Sequence, residues 1–317
     1  MHPLRGTFYW LSVLIALPPL LIAEVNKTEE IADGVYFHEG DLGRRGHSNN
    51  GWIEFKHYVV VIDGNFPSGA KYVLPKIKAA SEQPIRFVFD THHHGDHAYG
   101  NYEWYVAGAT AIAHVNVIEE MKRYETGQYG NAPGRWEQAV IDRPDVAASE
   151  FLPPSILFED KLILDDGTQR VEFHHFGTSH THGDGFAWLP KQKILFTGDA
   201  CVNGPYNYVG DGNTREWIET LEKAKALGAR LICPGHGPVA GPELLDHQQN
   251  YFIQLRSEVK KLLTKGVAAA DMGSHSPVIK AQLRRIEGLN KYIGTWFDGQ
   301  LSKIVEELQA EEPAAAK

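Results

Sequence analysis

The sequence predicts an α/β protein. Short apolar runs that are typical of strands alternate with segments whose apolar residues recur at helical spacing. The candidate site residues all follow predicted strands, which is where α/β proteins carry functional loops. The chain has 317 residues, 43% of them hydrophobic, which is enough for a sizeable core in one large domain or two.

The first half of the chain contains predicted strands at residues 35–39, 51–63, 85–90 and 107–113. A Gly- and Asn-rich loop at 40–50 separates the first two, and we expect it to be mobile. Helices are predicted at 70–80, with an interruption at Pro75, and at 115–124. The segment 125–154 has no clean periodicity and holds several Gly, Pro and aromatic residues, so we interpret it as an insertion and a candidate lid.

In the second half, short apolar runs predict strands at residues 161–164, 171–175, 186–189, 194–197 and 230–233. Asn213 followed by Glu216 is typical of a helix start, and that helix should end at Gly228. A long helix is predicted from Pro242 to about residue 265, and a final helical segment at about 277–308.

The N-terminus resembles an export signal. Arg5 precedes an apolar stretch at residues 8–23 that is short for a membrane span and is broken by Pro18 and Pro19. We expect cleavage after residue 23, no stable membrane span afterwards, and a periplasmic or secreted protein; an uncleaved anchor is the alternative. Residues 24–265 would then form the catalytic domain, and 266–317 a helical extension with a disordered tail from 311.

Charge and cysteine content narrow the choice of partners. Lys and Arg number 31 against 40 Asp and Glu, for a net charge of -9, which disfavours a nucleic-acid substrate and leaves a small molecule. We interpret the two cysteines, Cys201 and Cys233, as buried free thiols rather than as a disulfide, because the sequence does not show that they are close in space. Nothing in the sequence determines the oligomeric state.

The most informative segment is the run His92-x-His94-x-Asp96-His97, which follows a predicted strand. Three further candidates lie in turns after apolar runs, namely His180, Asp199 and His236. Imidazole and carboxylate groups suit zinc and similar divalent ions, and burying them together is costly without a cation.

The spacing divides these residues into two metal sites. Residues two apart in an extended segment point to one side, so His92 and His94 should share an ion with His180. After the bend at Gly95, the second ion would be held by Asp96, His97 and His236, and Asp199 would bridge the two.

Two zinc ions can share a hydroxide that serves as a nucleophile near neutral pH. The chemistry therefore indicates attack on a carbonyl, with Asp199 holding both ions and either Asp96 or a metal-bound water returning a proton to the leaving group.

Other polar residues have weaker signals. Asp63 ends a buried strand and either orients the ligand loop or is a plain turn aspartate. His93 and His182 neighbour ligands and are either outer partners of the ligands or substrate contacts. Isolated histidines elsewhere in the chain are expected to be structural.

With these motifs in order, the sequence resembles the metallo-β-lactamase superfamily from about residue 35 to His236. The resemblance implies an αββα sandwich with a dinuclear site along one sheet edge. It also implies hydrolysis of esters, thioesters, lactones, lactams or phosphodiesters. The stretch 213–236 is similar to the zinc β-lactamases of the cysteine-ligand subclass.

The chain departs from that subclass at two positions. Asp199 stands where the subclass has a cysteine ligand, and Val202 or Asn203 stands near the place of its substrate-gripping lysine. A substrate carboxylate would then need Arg44 or Arg45, unless both are simply solvated.

The loop after Asp199 contains three candidate donors to an oxyanion, Tyr206, Asn207 and Tyr208, for which loop packing is the alternative interpretation.

We therefore expect an exported hydrolase with two zinc ions, or other divalent metals, acting on an ester, lactone or lactam carbonyl. A true β-lactamase is one alternative. A non-catalytic metal-binding or interaction protein is the alternative from another class.

Overall fold

The computed structural model describes residues 25–128 and 132–311. Two β-sheets pack face to face, and helices cover both outer faces. The α/β class and the αββα sandwich that the resemblance implied are therefore confirmed. The expected signal at residues 1–23 and most of the expected tail lie outside the described residues.

The first sheet has seven strands that lie side by side in chain order. They are β1 (Thr28–Ala32), β2 (Val35–His38), β3 (Asn50–Glu54), β4 (Val59–Ile62), β5 (Ile85–Phe89), β6 (Thr110–His114) and β7 (Ile156–Phe158). Strands β1 to β4 form an antiparallel meander. Strands β4 to β7 are parallel, so their carboxyl ends meet at one edge.

The second sheet has five strands in the order β12-β11-β10-β9-β8. They are β8 (Lys161–Asp165), β9 (Arg170–His174), β10 (Phe186–Leu189), β11 (Ile194–Gly198) and β12 (Leu231–Pro234). Only β11 and β12 pair in parallel; the other pairs are antiparallel.

The described residues also form helices that surround the sheets. They are α1 (Leu42–Arg45), α2 (Pro67–Ala80), α3 (Gly95–Ala98), α4 (Asn101–Val106), α5 (Val115–Arg123), α6 (Arg135–Asp142), α7 (Pro144–Ala147), α8 (Thr214–Lys225), α9 (Glu243–Thr264), α10 (Ser276–Leu283) and α11 (Phe297–Glu311), with short 3-10 helices at Ala269–His275 and Asn290–Tyr292. Across residues 25–128 and 132–311, none of the helices combines the length and apolar character needed to cross a bilayer.

Alternation along β4 shows how the layers are built. Val60 and Ile62 face the cluster between the two sheets, whereas Val59 and Val61 face α2 on the outside. Between the sheets, the rings of Phe89 and Phe173 stack with their centroids 4.1 Å apart. Both faces of β4 are therefore buried, which accounts for its continuous apolar run.

The other outer face belongs to the second sheet. Trp217 of α8 and Phe252 of α9 lie 4.5 Å apart between ring centroids in a cluster that covers β10 to β12. Residues of the C-terminal helices, such as Leu301 and Ile304, join the same buried cluster. The extension thus packs directly on the sandwich, and the domain boundary at residue 265 stays a prediction.

Three local predictions differ from the structure. Residues 51–63 form two strands, β3 and β4, joined by a turn rather than one long strand. The expected interruption at Pro75 is wrong, because Pro75 lies inside α2 on its exposed side, where the carbonyl that loses its partner can be hydrated. The loop at 40–50 contains α1 and four consecutive buried residues from His47 onward, so it is packed against the sandwich.

Several other local predictions are confirmed. The Asn213 side chain accepts hydrogen bonds from the backbone N–H groups of Arg215 and Glu216 and caps α8. Cys201 and Cys233 are buried free thiols, and burial raises the pKa of both.

Candidate metal centre

The predicted ligands converge at one edge of the sandwich because they follow neighbouring strands. His92, His94, Asp96 and His97 come directly after β5, and Asp199 and His236 come after β11 and β12. His180 lies in the turn between β9 and β10. Their side chains form three-residue groups whose ligand atoms lie within 4.8 Å of one another.

The first group consists of His92, His94 and His180. The His94 Nδ1 atom lies 3.1 Å from His92 Nε2 and 2.9 Å from His180 Nε2. Burial lowers the pKa of His92 and of His180, and the neighbouring imidazoles lower both further. The rings of His92 and His180 are therefore neutral, which is the form that binds a metal.

The outer hydrogen bonds of these rings fix their tautomers. The His180 Nδ1–H group donates to the Tyr208 carbonyl at 2.9 Å, and the His94 Nε2–H group donates to Asp211 at 2.7 Å. His92 Nδ1 lies 3.1 Å from the Thr91 hydroxyl. That hydroxyl donates to Asp63 and so accepts from His92. The lone pairs of all three inner nitrogens consequently point at one another, an arrangement that a cation would stabilise.

The second group consists of Asp96, His97 and His236. Asp96 Oδ2 lies 3.2 Å from His236 Nε2 and 3.6 Å from His97 Nε2. Burial alone lowers the pKa of His97, but the carboxylates of Asp63, Asp96 and Asp199 outweigh it and raise the pKa to about 9. By the same balance, Asp199 and Asp96 raise the pKa of His236 to about 10.

Asp199 lies between the two groups. Its Oδ1 atom is 3.4 Å from His97 Nε2, and its Oδ2 atom is 3.3 Å from His236 Nε2 and 3.6 Å from His180 Nε2. Burial raises the pKa of Asp199, but His236 and His97 hold it well below its usual range. Asp199 is therefore ionised and within reach of residues from both groups, as a bridging carboxylate requires.

The donor set fits two divalent cations. His97 Nε2 and Asp199 Oδ1 are buried and have no hydrogen-bond partner among the described residues, although buried polar atoms are rarely left unpaired. Nitrogen and carboxylate donors of this kind suit zinc and related ions. Cations here would replace the protons that His97 and His236 otherwise retain.

Two aspartates orient the ligands from outside. Asp63 Oδ2 lies 3.1 Å from His97 Nδ1, and its other oxygen accepts from the Thr91 backbone at 3.0 Å. Asp63 thus occupies the outer position that the sequence suggested for it. Asp184, which sequence reasoning missed, accepts from the Thr181 backbone at 2.8 Å and holds the turn that carries His180.

A second feature that the sequence did not reveal surrounds Asp211. Arg135 donates to both Asp211 oxygens at 2.7 and 2.8 Å, and Tyr124 donates at 2.7 Å. One potential ligand atom each of His93, His94 and Asp211 lies within 4.8 Å of the others, as in a metal site. However, Arg135 Nη1 lies 3.1 Å from His93 Nε2. The guanidinium therefore already supplies the positive charge of this third cluster.

Three of the suggested contact residues lie away from the cluster. Arg44 and Arg45 are exposed, and the Arg45 guanidinium lies 5.1 Å from the centre of the Tyr72 ring. Both arginines belong to α1, whose first turn is capped by the Asp41 side chain through the backbone N–H of Arg44. His182 is half exposed and pairs with Glu120 at 3.2 Å, which raises its pKa through a hydrogen bond.

Asn207 and Tyr208 have different surroundings although they are adjacent. Asn207 is buried, accepts from Gln248 at 2.6 Å, and does not reach the cavity over the cluster. Tyr208 does line that cavity, which measures about 130 Å³. The wall is formed by Leu42, His94, Asp96, His180, Asp199, Tyr206, Tyr208, His236 and Trp296.

A larger cavity of about 270 Å³ lies beyond His93 and Arg135. Tyr99, Trp136 and Phe151 form much of its wall, and two of these come from the segment 125–154. Arg135 itself belongs to this segment and contacts Asp211, so the candidate lid reaches the ligand shell of the cluster.

Comparison with known proteins agrees with this architecture. The family model of the metallo-β-lactamase superfamily matches residues 43–236. The chain is 31% identical over 123 residues to a metallo-β-lactamase type 2 of Bacteroides fragilis, covering 36% of this chain and 49% of that protein. It is 22% identical over 223 residues to a β-lactamase-like protein 2 homolog of Caenorhabditis elegans, covering 64% of this chain and 61% of that protein.

The chain therefore spans about half to three fifths of the length of these relatives. Among solved structures, a metallo-β-lactamase from Pontibacter korlensis is similar in fold, with a TM-score of 0.58 at 20% identity over 72% of this chain and 98% of that one. Because the family model matches more than half of its residues, the chain belongs to the metallo-β-lactamase superfamily, whose members are in general metal-dependent hydrolases.

Proposed function

We propose that the protein is an exported hydrolase that uses two zinc ions to cleave an ester, lactone or lactam. The observation that carries the proposal is the position of Asp199, ionised and in contact with residues of both ligand groups. Two ions joined by one carboxylate would lie close enough to act on a single substrate.

Each group of residues has a distinct task in this proposal. When bound, the two ions would supply a hydroxide nucleophile near neutral pH and would polarise the scissile carbonyl. The chain orients the ligands through Asp63 and Asp211 and closes the site with aromatic rings. Burial raises the pKa of Asp96, but His97 and His236 lower it to about 2, so Asp96 is ionised and can accept a proton from the attacking water and pass it to the leaving group.

The reaction balances without a co-reactant. The bond between the acyl carbon and the leaving oxygen or nitrogen breaks, and the oxygen of water joins the acyl carbon. One proton of that water goes to the leaving group and the other goes to the new carboxyl group, which releases it to solvent at neutral pH.

Export is proposed from the sequence of residues 1–23, and periplasmic or secreted location follows from it. Determining the N-terminal residue of the protein recovered from its native compartment tests this proposal. A terminus near residue 24 in a soluble extracytoplasmic fraction supports it, and a protein retained with its first residues in the membrane supports the anchor instead.

β-Lactamase activity is the second candidate, because the relatives from Bacteroides and Pontibacter carry that name. A β-lactam presents a carboxylate, and no Lys or Arg is among the described residues that line the cavity. This favours the broader hydrolase over the β-lactamase. A non-catalytic metal-binding protein is the third candidate, but a cavity that opens onto both ligand groups is typical of catalytic rather than structural zinc sites.

The test is metal analysis of the full chain followed by a screen of nitrocefin, phenyl acetate, a γ-lactone, a thioester and bis(p-nitrophenyl) phosphate. We expect about two zinc ions per chain and turnover of carbonyl substrates. Asp199→Ala should lose metal and at least about 100-fold in kcat/KM, whereas the matched exposed carboxylate variant Asp142→Ala should be unchanged. Metal-loaded protein that turns over none of these compounds would favour the non-catalytic candidate.

A further inference from the structure

The cavity over the ligand groups has an aromatic wall opposite the metal-binding side chains. The Tyr208 ring lies 5.8 Å from that of His94, and the Tyr206 ring lies 5.7 Å from that of His236. Trp296 meets Tyr208 edge to face, with centroids 5.9 Å apart, and 48% of Trp296 remains exposed. An exposed tryptophan at the mouth of a polar cluster offers a free ring face to a ligand.

Trp296 is fixed in place by contacts from its own segment to the loop after β11. Gly294 packs so closely on Pro205 that a Cβ atom there would lie 2.6 Å from the Pro205 carbonyl oxygen. Lys291 donates to the Asn203 side chain at 3.1 Å, and Gln300 donates to the Asn207 carbonyl at 2.7 Å. The C-terminal segment therefore supplies a rigid part of the cavity wall.

Two cations near this wall already have partners in the chain. Arg135 is paired with both oxygens of Asp211, and Lys291 is half buried and bound to Asn203. Bound ions would attract a carboxylate to the ligand groups, but a carboxylate placed against this wall would lose water among Leu42 and aromatic rings without a fixed ionic partner from the chain. The wall therefore favours an uncharged group.

The size of the cavity sets a second limit. A cavity of roughly 150 Å³ holds one benzene molecule in a protein interior. The present cavity, at about 130 Å³ including the space that bound ions would take, has room for at most one ring, and anything larger must extend out of the cavity into solvent.

Resting on the proposed hydrolase function, we propose that this site selects uncharged carbonyl compounds that carry a single aromatic ring beside the scissile bond. Trp296 is the specificity-determining residue. The ring of the substrate packs among Trp296, Tyr206 and Tyr208 while its carbonyl faces the two ligand groups.

Binding tests the inference without requiring turnover. Zinc-loaded full chain is titrated with acetanilide, an uncharged aromatic amide, and with 4-acetamidobenzoate, which adds only a carboxylate, and ligand-observed NMR reports the affinity. We expect acetanilide to bind about 10-fold more tightly. Trp296→Ala should weaken acetanilide about 10-fold and Trp296→Phe much less, and the exposed control Tyr105→Ala should match the parent. Equal or tighter binding of the carboxylate, or no effect of Trp296→Ala, would overturn the inference.

Kinetics separate this inference from the proposed function. Trp296→Ala should lower kcat/KM for phenyl acetate about 10-fold, mainly through KM, and leave methyl acetate and zinc content within about twofold. Turnover of both esters with no selective loss in the variant refutes the role of Trp296 while the hydrolase function stands. Selective binding of acetanilide with no turnover of any ester, lactone, thioester or lactam of the screen supports the aromatic site and refutes the hydrolase function.

Discussion

Asp211 is the outer partner of His94, and its substitution by asparagine tests how the first ligand group is held. The carboxylate accepts from His94 at 2.7 Å, from Arg135 through both oxygens, and from Tyr124 at 2.7 Å. Asparagine keeps the size of the side chain but removes the charge, and its amide nitrogen cannot accept from Arg135. The one oxygen that remains is uncharged and must serve His94, Arg135 and Tyr124, so the acceptor that fixes the His94 tautomer, with Nδ1 toward the other histidines, is weakened.

The size of the effect follows from burial. Removing one partner of a buried ion pair costs about 3–5 kcal/mol. Asp211 is 3% exposed, but Arg135 is 31% exposed and can regain water, so we expect a smaller loss of about 2 kcal/mol in the free energy of unfolding. Loss of an outer partner of a ligating histidine weakens metal binding by about 10–100-fold.

Two measurements separate stability from metal geometry. Urea unfolding of the chelator-treated protein gives the stability, and competition with a chromophoric chelator gives the zinc affinity. Glu307→Gln is the matched control, because it breaks a buried pair with Arg256 of 2.7 Å. That control should lose stability yet keep its zinc affinity within about twofold. If Asp211→Asn loses stability while its zinc affinity equals that of the parent, the positioning role of Asp211 is refuted.

Two further substitutions probe the same structure. In Gly235→Ala the new Cβ atom would lie 2.0 Å from Asp199 Oδ1, so the carboxylate must move and zinc should bind at least about 10-fold more weakly. Gly43→Ala is the control, because nothing lies within 4 Å of its Cβ atom. Equal zinc affinities of the two variants would show that Asp199 tolerates displacement. For His114, burial and the His175 ring lower the pKa from 6.5 to about 4. The stability that comes from the neutral ring is thus present above pH 6.5 and is lost as the pH falls toward 4. His114→Gln should therefore reduce the proton uptake on urea unfolding by about one proton in that pH window. An unchanged slope of the free energy of unfolding against pH would contradict the lowered pKa of His114.

Local sequence signals were sufficient to predict which candidate ligands lie close together. His92 and His94 are two residues apart and turn the same way, whereas His93 turns toward Arg135. Strand ends could be predicted from apolar runs, and parallel neighbours such as β11 and β12 then bring Asp199 and His236 together. These relations need only backbone periodicity and the rule that functional loops follow strands.

The loop at residues 40–50 shows why amino-acid composition is a poor guide to tertiary packing. Its Gly and Asn content indicates mobility, yet Asn49 donates to the carbonyls of Pro234 and Gly237, both at 2.8 Å. Asn65 in turn donates to the carbonyl of Ser48 at 2.9 Å. Such hydrogen bonds join residues that are far apart in the chain, and no local pattern reveals them. The same limit hid the pairing of Arg135 with Asp211 and the place of Trp296.

The loop from Asp199 to Asp211 connects the candidate metal centre to the aromatic wall of the cavity. It carries a bridging candidate at one end, the outer partner of His94 at the other, and Tyr206 and Tyr208 between them. Segments on two sides hold it, through Arg135 and through the C-terminal residues around Trp296.

The C-terminal segment lies beyond residues 43–236, the part that matches the family model. A substitution there can reshape the aromatic wall without replacing a candidate metal ligand, because Trp296 meets Tyr208 edge to face, lines the cavity and is half exposed. A substitution at Arg135 has no such freedom, because it removes the charge that Asp211 needs in order to hold His94. We therefore expect substrate preference to vary mainly through the C-terminal segment and metal affinity mainly through the segment that carries Arg135.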